Sequence, residues 1–109
     1  MQGIRLIAES VFDVAEVDEK LCVRMYAPDL NEDGTWVCRV EIGAPIGWSG
    51  PTYGASAIQA LALGVKTVAM HLYASVLWKE GKLGVNGKYG GYLGIPAPTD
   101  YLDFAPFPF

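Results

Sequence analysis

The fold is decided by the stretch YGASAIQALALGVKTVAMHLYASVLW, residues 53–78, which is the most regularly patterned part of the chain. Apolar side chains recur in it at spacings of three and four residues, the pattern of an amphipathic helix. We predict that this helix begins near a cap at Gly54 or Ser56, runs to about Lys79, and ends where Gly81 supplies a left-handed residue. The stripe expected to cover a sheet consists of Ile58, Leu61, Ala62, Val65, Val68, Ala69, Leu72 and Val76.

The opposite side of this helix is only weakly polar. It carries Gln59, Lys66 and Ser75, but also Leu63 and Met70. An apolar side chain on a second helix face favours burial under a further layer of structure. We expect that layer to be either the C-terminal tail or a second subunit.

Strand patterns precede the helix. Residues 3–12 place Ile4, Leu6, Ala8 and Phe12 on one face at a period of two, and residues 20–27 and 35–42 alternate in the same way. Residues 28–35 are rich in Pro, Asp, Asn and Gly and predict a long hairpin loop, and residues 49–54 allow a short fourth strand. The sequence therefore predicts an α+β fold, an antiparallel meander of three to four strands packed on one long helix.

Two kinds of irregular chain follow the helix. Residues 80–96 are rich in glycine but carry spaced apolar anchors, and they predict a docked segment with a short hairpin around Asn86 and Gly87. In the last residues, aromatic side chains alternate with prolines, which favour extended backbone. We predict a single α+β domain over residues 1–96 and a Pro/aromatic C-terminal tail over residues 97–109. The Gly/Pro-rich chain after the helix is expected to form an ordered tail.

Composition narrows the classes of function. The 109 residues are 51% hydrophobic and 18% charged, with a net charge of −4 and no cluster of basic residues. Without a basic patch, neither nucleic acid nor an anionic membrane surface is an expected partner. The polar side chains of Gln59, Lys66 and His71 argue against a membrane span. Residues 1–10 do not have the pattern of a secretory signal, so we predict a cytoplasmic protein.

The motifs of common chemistries are absent from the sequence. A phosphate-binding loop counted back from Gly87-Lys88 meets Lys82 where glycine is required. Cys22 and Cys38 have no metal or redox spacing and are expected to be free thiols. His71 is the only histidine, and the residues around it in the sequence include no nucleophile motif and no further metal ligand. We therefore predict no catalytic residue, cofactor or metal, and favour a protein that is not an enzyme.

Three sequence features resemble a bacterial family of small domains of unknown function. They are an I-A-E start, a W-x-C strand (Trp36 and Cys38), and a helix start Y-G-x-x-x-x-Q-A-L, which supplies Tyr53, Gly54, Gln59, Ala60 and Leu61. The resemblance covers most of residues 7–78 and implies a fold but no activity. Within it, Gln59 is expected to bond backbone near Tyr53 and so to define the start of the helix.

Two functional hypotheses follow. High apolarity, the second helix face and the aromatic tail favour an interaction module that binds a protein partner or a second copy of the chain. Its candidate contact residues are Trp48, Tyr53, Tyr101, Phe104, Phe107 and Phe109. The alternative is a small-molecule binder or an enzyme with a pocket near Trp48, Tyr53 and His71.

Overall fold

The computed structural model describes residues 5–96, which form an antiparallel sheet with one long helix on a single face. This confirms the predicted α+β class. The described chain has seven strands instead of three to four, and two helices. The strands are β1 (Leu6–Val14), β2 (Leu21–Tyr26), β3 (Asp29–Leu30), β4 (Trp36–Ile42), β5 (Trp48–Gly54), β6 (Leu83–Val85) and β7 (Lys88–Tyr89), and the helices are α1 (Ala57–Tyr73) and α2 (Val76–Lys79).

The centre of the sheet is the predicted meander. β1 pairs with β2, β2 with β4, and β4 with β5 along its whole length. The short β3 pairs with the start of β4 and continues the line of β2 beyond Pro28. The predicted short fourth strand is a full seven-residue strand, because every residue of β5 has a partner on β4.

The extra strands come from the glycine-rich segment. β6 and β7 form a hairpin whose turn residues, Asn86 and Gly87, have φ values of 54° and 78°, as the predicted hairpin requires. β6 adds to the far side of β1, where only Asp13 and Val14 are its partners. The sheet therefore extends beyond β1 at one end of that strand only.

The start of α1 is held by two polar side chains and one glycine. Ser56 Oγ accepts a hydrogen bond from Gln59 N at 3.1 Å, and Gln59 Oε1 accepts one from Ala55 N at 2.5 Å. The role predicted for Gln59 is confirmed. Gly54 has to lack a side chain, because a Cβ atom there would lie 2.5 Å from the backbone nitrogen of Ala60.

The face of α1 against the sheet differs from the predicted stripe. Small residues, Ala60 and Gly64, are buried there, whereas Ile58 is 79% exposed. A Cβ atom at Gly64 would lie 2.9 Å from Cε of Met25, which shows how closely the helix approaches the strands. Of the predicted stripe, only Val68, Ala69 and Leu72 are fully buried. The prediction was wrong because it favoured large apolar side chains, whereas a helix that approaches a sheet closely needs small side chains at the contact.

The helix also ends earlier than predicted. α1 stops at Tyr73, and Ser75 begins the short α2 by accepting a hydrogen bond from Trp78 N at 3.2 Å. Gly81 has the predicted left-handed backbone, with φ at 72°. After the break, Trp78 packs edge-on against Tyr73, with 5.2 Å between ring centroids.

Both aromatic side chains hold the segment that follows the hairpin. The Tyr73 hydroxyl donates to Ile95 O at 2.7 Å and accepts from Leu93 N at 2.9 Å, and Trp78 Nε1 donates to Gly91 O at 2.9 Å. Leu93 is buried in the core. The predicted docking of this segment is confirmed up to Pro96, and the predicted tail at residues 97–109 lies outside the described residues.

Candidate interaction surface

The outer side of β1 is an open sheet edge over most of its length. Ala15 N donates to Lys82 O on the β6 side. Because backbone groups alternate sides along a strand, the N–H groups of Asp13, Val11 and Glu9 point the same way. Within residues 5–96, Asp13 has a strand partner there, but residues 6–12 have none. We call residues 6–12 the β1 edge.

The β1 edge carries apolar side chains that the rest of the described chain covers only in part. Leu6, Ile7 and Val11 are each about half exposed, at 47%, 47% and 50%. Leu6 is paired with Tyr26 and Val11 with Cys22, so both lie on the sheet face opposite α1. An open edge with exposed apolar side chains is a template for pairing with another strand.

A β-bulge produces this arrangement. The register shifts between Leu6 and Ala8, so that Ile7 is an extra residue opposite β2. The sequence prediction placed Leu6 on the same face as Phe12, and it was wrong because an inserted residue reverses the alternation. Ile4, assigned to the same face, lies outside the described residues.

A groove lies beside β1 on the helix side of the sheet. It has a volume of about 170 Å³ and lies between α1 and the first two strands. Its lining is almost entirely apolar and consists of Ala8, Ser10, Val23, Met25, Val65, Val68 and Ile95. We call it the β1–α1 groove. It forms because α1 packs over β4 and β5 and leaves the start of β1 uncovered.

The sheet face opposite α1 is polar at its centre. Arg24 Nε donates to Glu9 Oε2 at 2.6 Å, and the Tyr26 hydroxyl donates to Glu41 Oε1 at 2.5 Å. Desolvation by burial, followed by a hydrogen bond with Glu9, raises the pKa of the Cys22 thiol, and burial raises the pKa of Cys38. Both thiols are therefore protonated at neutral pH, which does not favour a nucleophilic role.

Glu9 provides a pH-dependent test of this face. Hydrogen bonds, first from Arg24 and then from Cys22, lower the pKa of Glu9 below its ordinary value. The stabilisation is therefore present above the ordinary carboxyl pKa and is lost as the pH falls through the folded-state value. We expect an NMR titration of the Glu9 carboxyl carbon to show the lowered pKa. Arg24→Ala should bring it back towards the ordinary value, and an unchanged midpoint in that variant would contradict the pairing.

The residues of the predicted pocket do not come together. The rings of Trp48 and His71 stack, with centroids 4.4 Å apart and planes at 29°. Tyr53 is paired with Val37 and is 55% exposed, and its odd number along β5 places it on the other face from Trp48. The prediction of one pocket near Trp48, Tyr53 and His71 was therefore wrong, because strand alternation separates the first two.

The remaining predicted contact residues are not tested by this structure. Tyr101, Phe104, Phe107 and Phe109 lie outside the described residues. Sequence reasoning missed Leu6, Ile7 and Val11 as surface residues. The available signal was the run Leu6-Ile7-Ala8, since consecutive apolar residues cannot all face one side of a regular strand.

Residues 5–96 contain no cluster of three or more His, Cys, Asp or Glu side chains that could hold a metal ion. Among the same residues, no helix has the length and apolarity needed to cross a membrane.

The fold and surface define a small α+β domain with an antiparallel sheet, one covering helix and an open apolar edge. The chain belongs to the family described as domain of unknown function DUF6968, whose profile matches residues 8–97. The predicted resemblance is thereby confirmed, and the match extends it through the β6–β7 hairpin to the docked segment. Comparisons with curated proteins and with solved structures give no match.

Proposed function

We propose that this domain is a protein-interaction module that binds an extended segment of a partner along the β1 edge. The observation that carries the proposal is the outer side of residues 6–12, which has no strand partner within residues 5–96 and carries the half-exposed Leu6, Ile7 and Val11. Strand addition uses main-chain hydrogen bonds for affinity and alternate side chains for specificity, and this edge offers both.

The partner is a protein that presents a strand, and a second copy of this chain also meets that description. Two β1 edges can pair antiparallel about a two-fold axis, since the same residues would then face each other. Sedimentation velocity over a range of concentrations distinguishes the two cases. Self-pairing gives a dimer whose dissociation constant changes with edge substitutions, whereas a different partner leaves the chain monomeric.

Substitutions at Val11 test the edge directly. Val11→Pro removes an N–H group that points away from β2, so it blocks strand addition while the pairing with β2 remains. Val11→Lys adds a charge to the edge, and Val11→Thr serves as the control because it keeps the N–H group and the branched shape. The partner is sought by affinity capture from the native host with the immobilised full chain.

We expect the wild type and Val11→Thr to retain the same protein or to form the same dimer, and Val11→Pro and Val11→Lys to lose it. Circular dichroism establishes that each variant is folded. A partner retained equally by all four chains would place binding elsewhere, and the proposal would then be wrong.

A further inference from the structure

The β1–α1 groove has apolar side chains on its helix side and on its strand side, and its lining includes Ile95, next to the last described residue. Val65 and Val68 form the helix wall, and Ala8 and Met25 lie on the strand side. Val65 is 37% exposed, and Ile58, two turns earlier on the same side of α1, is 79% exposed. The groove and the helix side that continues from it are therefore apolar surface without a cover among residues 5–96.

Ile95 is the residue of the groove lining that is nearest in sequence to the C-terminal segment. Its side chain is half-buried against the core, and its carbonyl oxygen is held by the Tyr73 hydroxyl at 2.7 Å. The segment is fixed again at Leu93, whose backbone nitrogen donates to the same hydroxyl. These two hydrogen bonds hold residues 93–95 beside the groove, and the C-terminal segment begins directly after them.

The chain beyond Pro96 is long enough to follow the groove and carries large apolar side chains. Residues 97–109 comprise thirteen residues, and Tyr101, Leu102, Phe104, Phe107 and Phe109 are its large apolar side chains. Thirteen residues of extended, polyproline-like backbone would span about 40 Å. Val68 and Ile58 are separated by only about 15 Å along the helix, so the segment is long enough to pass both. The prolines restrict the unbound segment, which lowers the entropy lost on docking.

We propose that residues 97–109 dock on their own domain, run from Ile95 along the β1–α1 groove towards the first turns of α1, and bury aromatic side chains against Val65 and Ile58. The segment is tethered at the groove, so its effective concentration there exceeds that of a segment from another molecule. The groove lies on the helix side of the sheet, whereas Leu6 and Val11 of the β1 edge face the other side. This proposal therefore stands independently of the proposed strand addition.

Methyl NMR on the full chain tests the docking. We expect nuclear Overhauser effects between aromatic protons of residues 101–109 and the methyl groups of Val65 and Ala8, together with ring-current shifts of those methyls. Val65→Asn should abolish them. Met70→Asn is the control, because Met70 is exposed to a similar extent on α1 but does not line the groove.

A mixed sample distinguishes a tail that docks on its own molecule from a tail that docks on a second molecule. Equal amounts of isotope-labelled and unlabelled chain are combined, and filtered spectra record contacts between different molecules. Contacts within one molecule support the proposal. Contacts only between molecules would overturn it in favour of an exchanged tail, and random-coil shifts for the tail aromatics without any contact would also overturn it.

Discussion

Replacing Tyr73 by alanine should lower the free energy of unfolding by about 3–5 kcal/mol, because a fully buried aromatic side chain is removed from the core. Tyr73→Phe isolates the hydroxyl group. We expect this variant to lose about 1–3 kcal/mol, since the buried Leu93 N–H group is left without its partner and the Ile95 carbonyl loses its donor.

Urea denaturation measures both effects, and hydrogen exchange at Leu93 locates the second. Tyr53→Phe is the matched control. Because the Tyr53 side chain is 55% exposed, its hydroxyl should contribute no more than about 0.5 kcal/mol. If Tyr73→Phe were as stable as the wild type and Leu93 exchanged no faster, the hydroxyl would not be what holds residues 93–95.

Gly54→Ala should destabilise the domain by about 1–3 kcal/mol or more, because the added Cβ atom overpacks the junction of β5 and α1. It would lie 2.5 Å from Ala60 N and 3.0 Å from the carbonyl carbon of Gln59. Both atoms are backbone, so no change of rotamer can relieve the contact. Thermal or urea unfolding of the purified variant gives the size of the loss.

Gly50→Ala is the control for this substitution, since Gly50 lies on the same strand and on the same face. The three atoms nearest to its Cβ atom would all belong to the ring of Trp48, the closest at 2.9 Å, and a side-chain ring can move where backbone cannot. We expect the Gly50 variant to lose distinctly less stability than the Gly54 variant. Equal losses would show that β5 tolerates no added side chain at either position. The close approach of Gly54 to α1 would then not be the cause of the destabilisation.

The Gly54 prediction depends on the junction of β5 and α1, which was predicted well from the sequence. Ser56 and Gln59 stand three residues apart at the start of an apolar run, a local capping pattern that needs no tertiary information. The same holds for Asn86-Gly87, whose preference for left-handed backbone specifies a tight hairpin. Local rules were sufficient at these two places, but they missed the Ser75 cap that begins α2, although Ser75 and Trp78 are also only three residues apart.

The face of α1 could not be predicted in the same way. Periodicity identified apolar residues all around the helix, and Ala60 and Gly64 were overlooked because they are small. Which side packs against a sheet depends on the distance of closest approach, which is set by Met25, Cys38 and Thr52 on three different strands. The helix side with Ile58 and Val65, expected to be covered by the sheet, borders the β1–α1 groove.

The α+β class, the start of the helix, the hairpin turn and the family could all be predicted, because these depend on local propensity, alternation and spacing. Three features could not be predicted in this way: Ile7 is inserted into β1, Tyr53 and Trp48 face opposite sides, and β6 covers just the end of β1. The physical reason is that register and edge exposure are properties of strand pairs. A single inserted residue or a short partner strand changes them without altering the pattern of either segment.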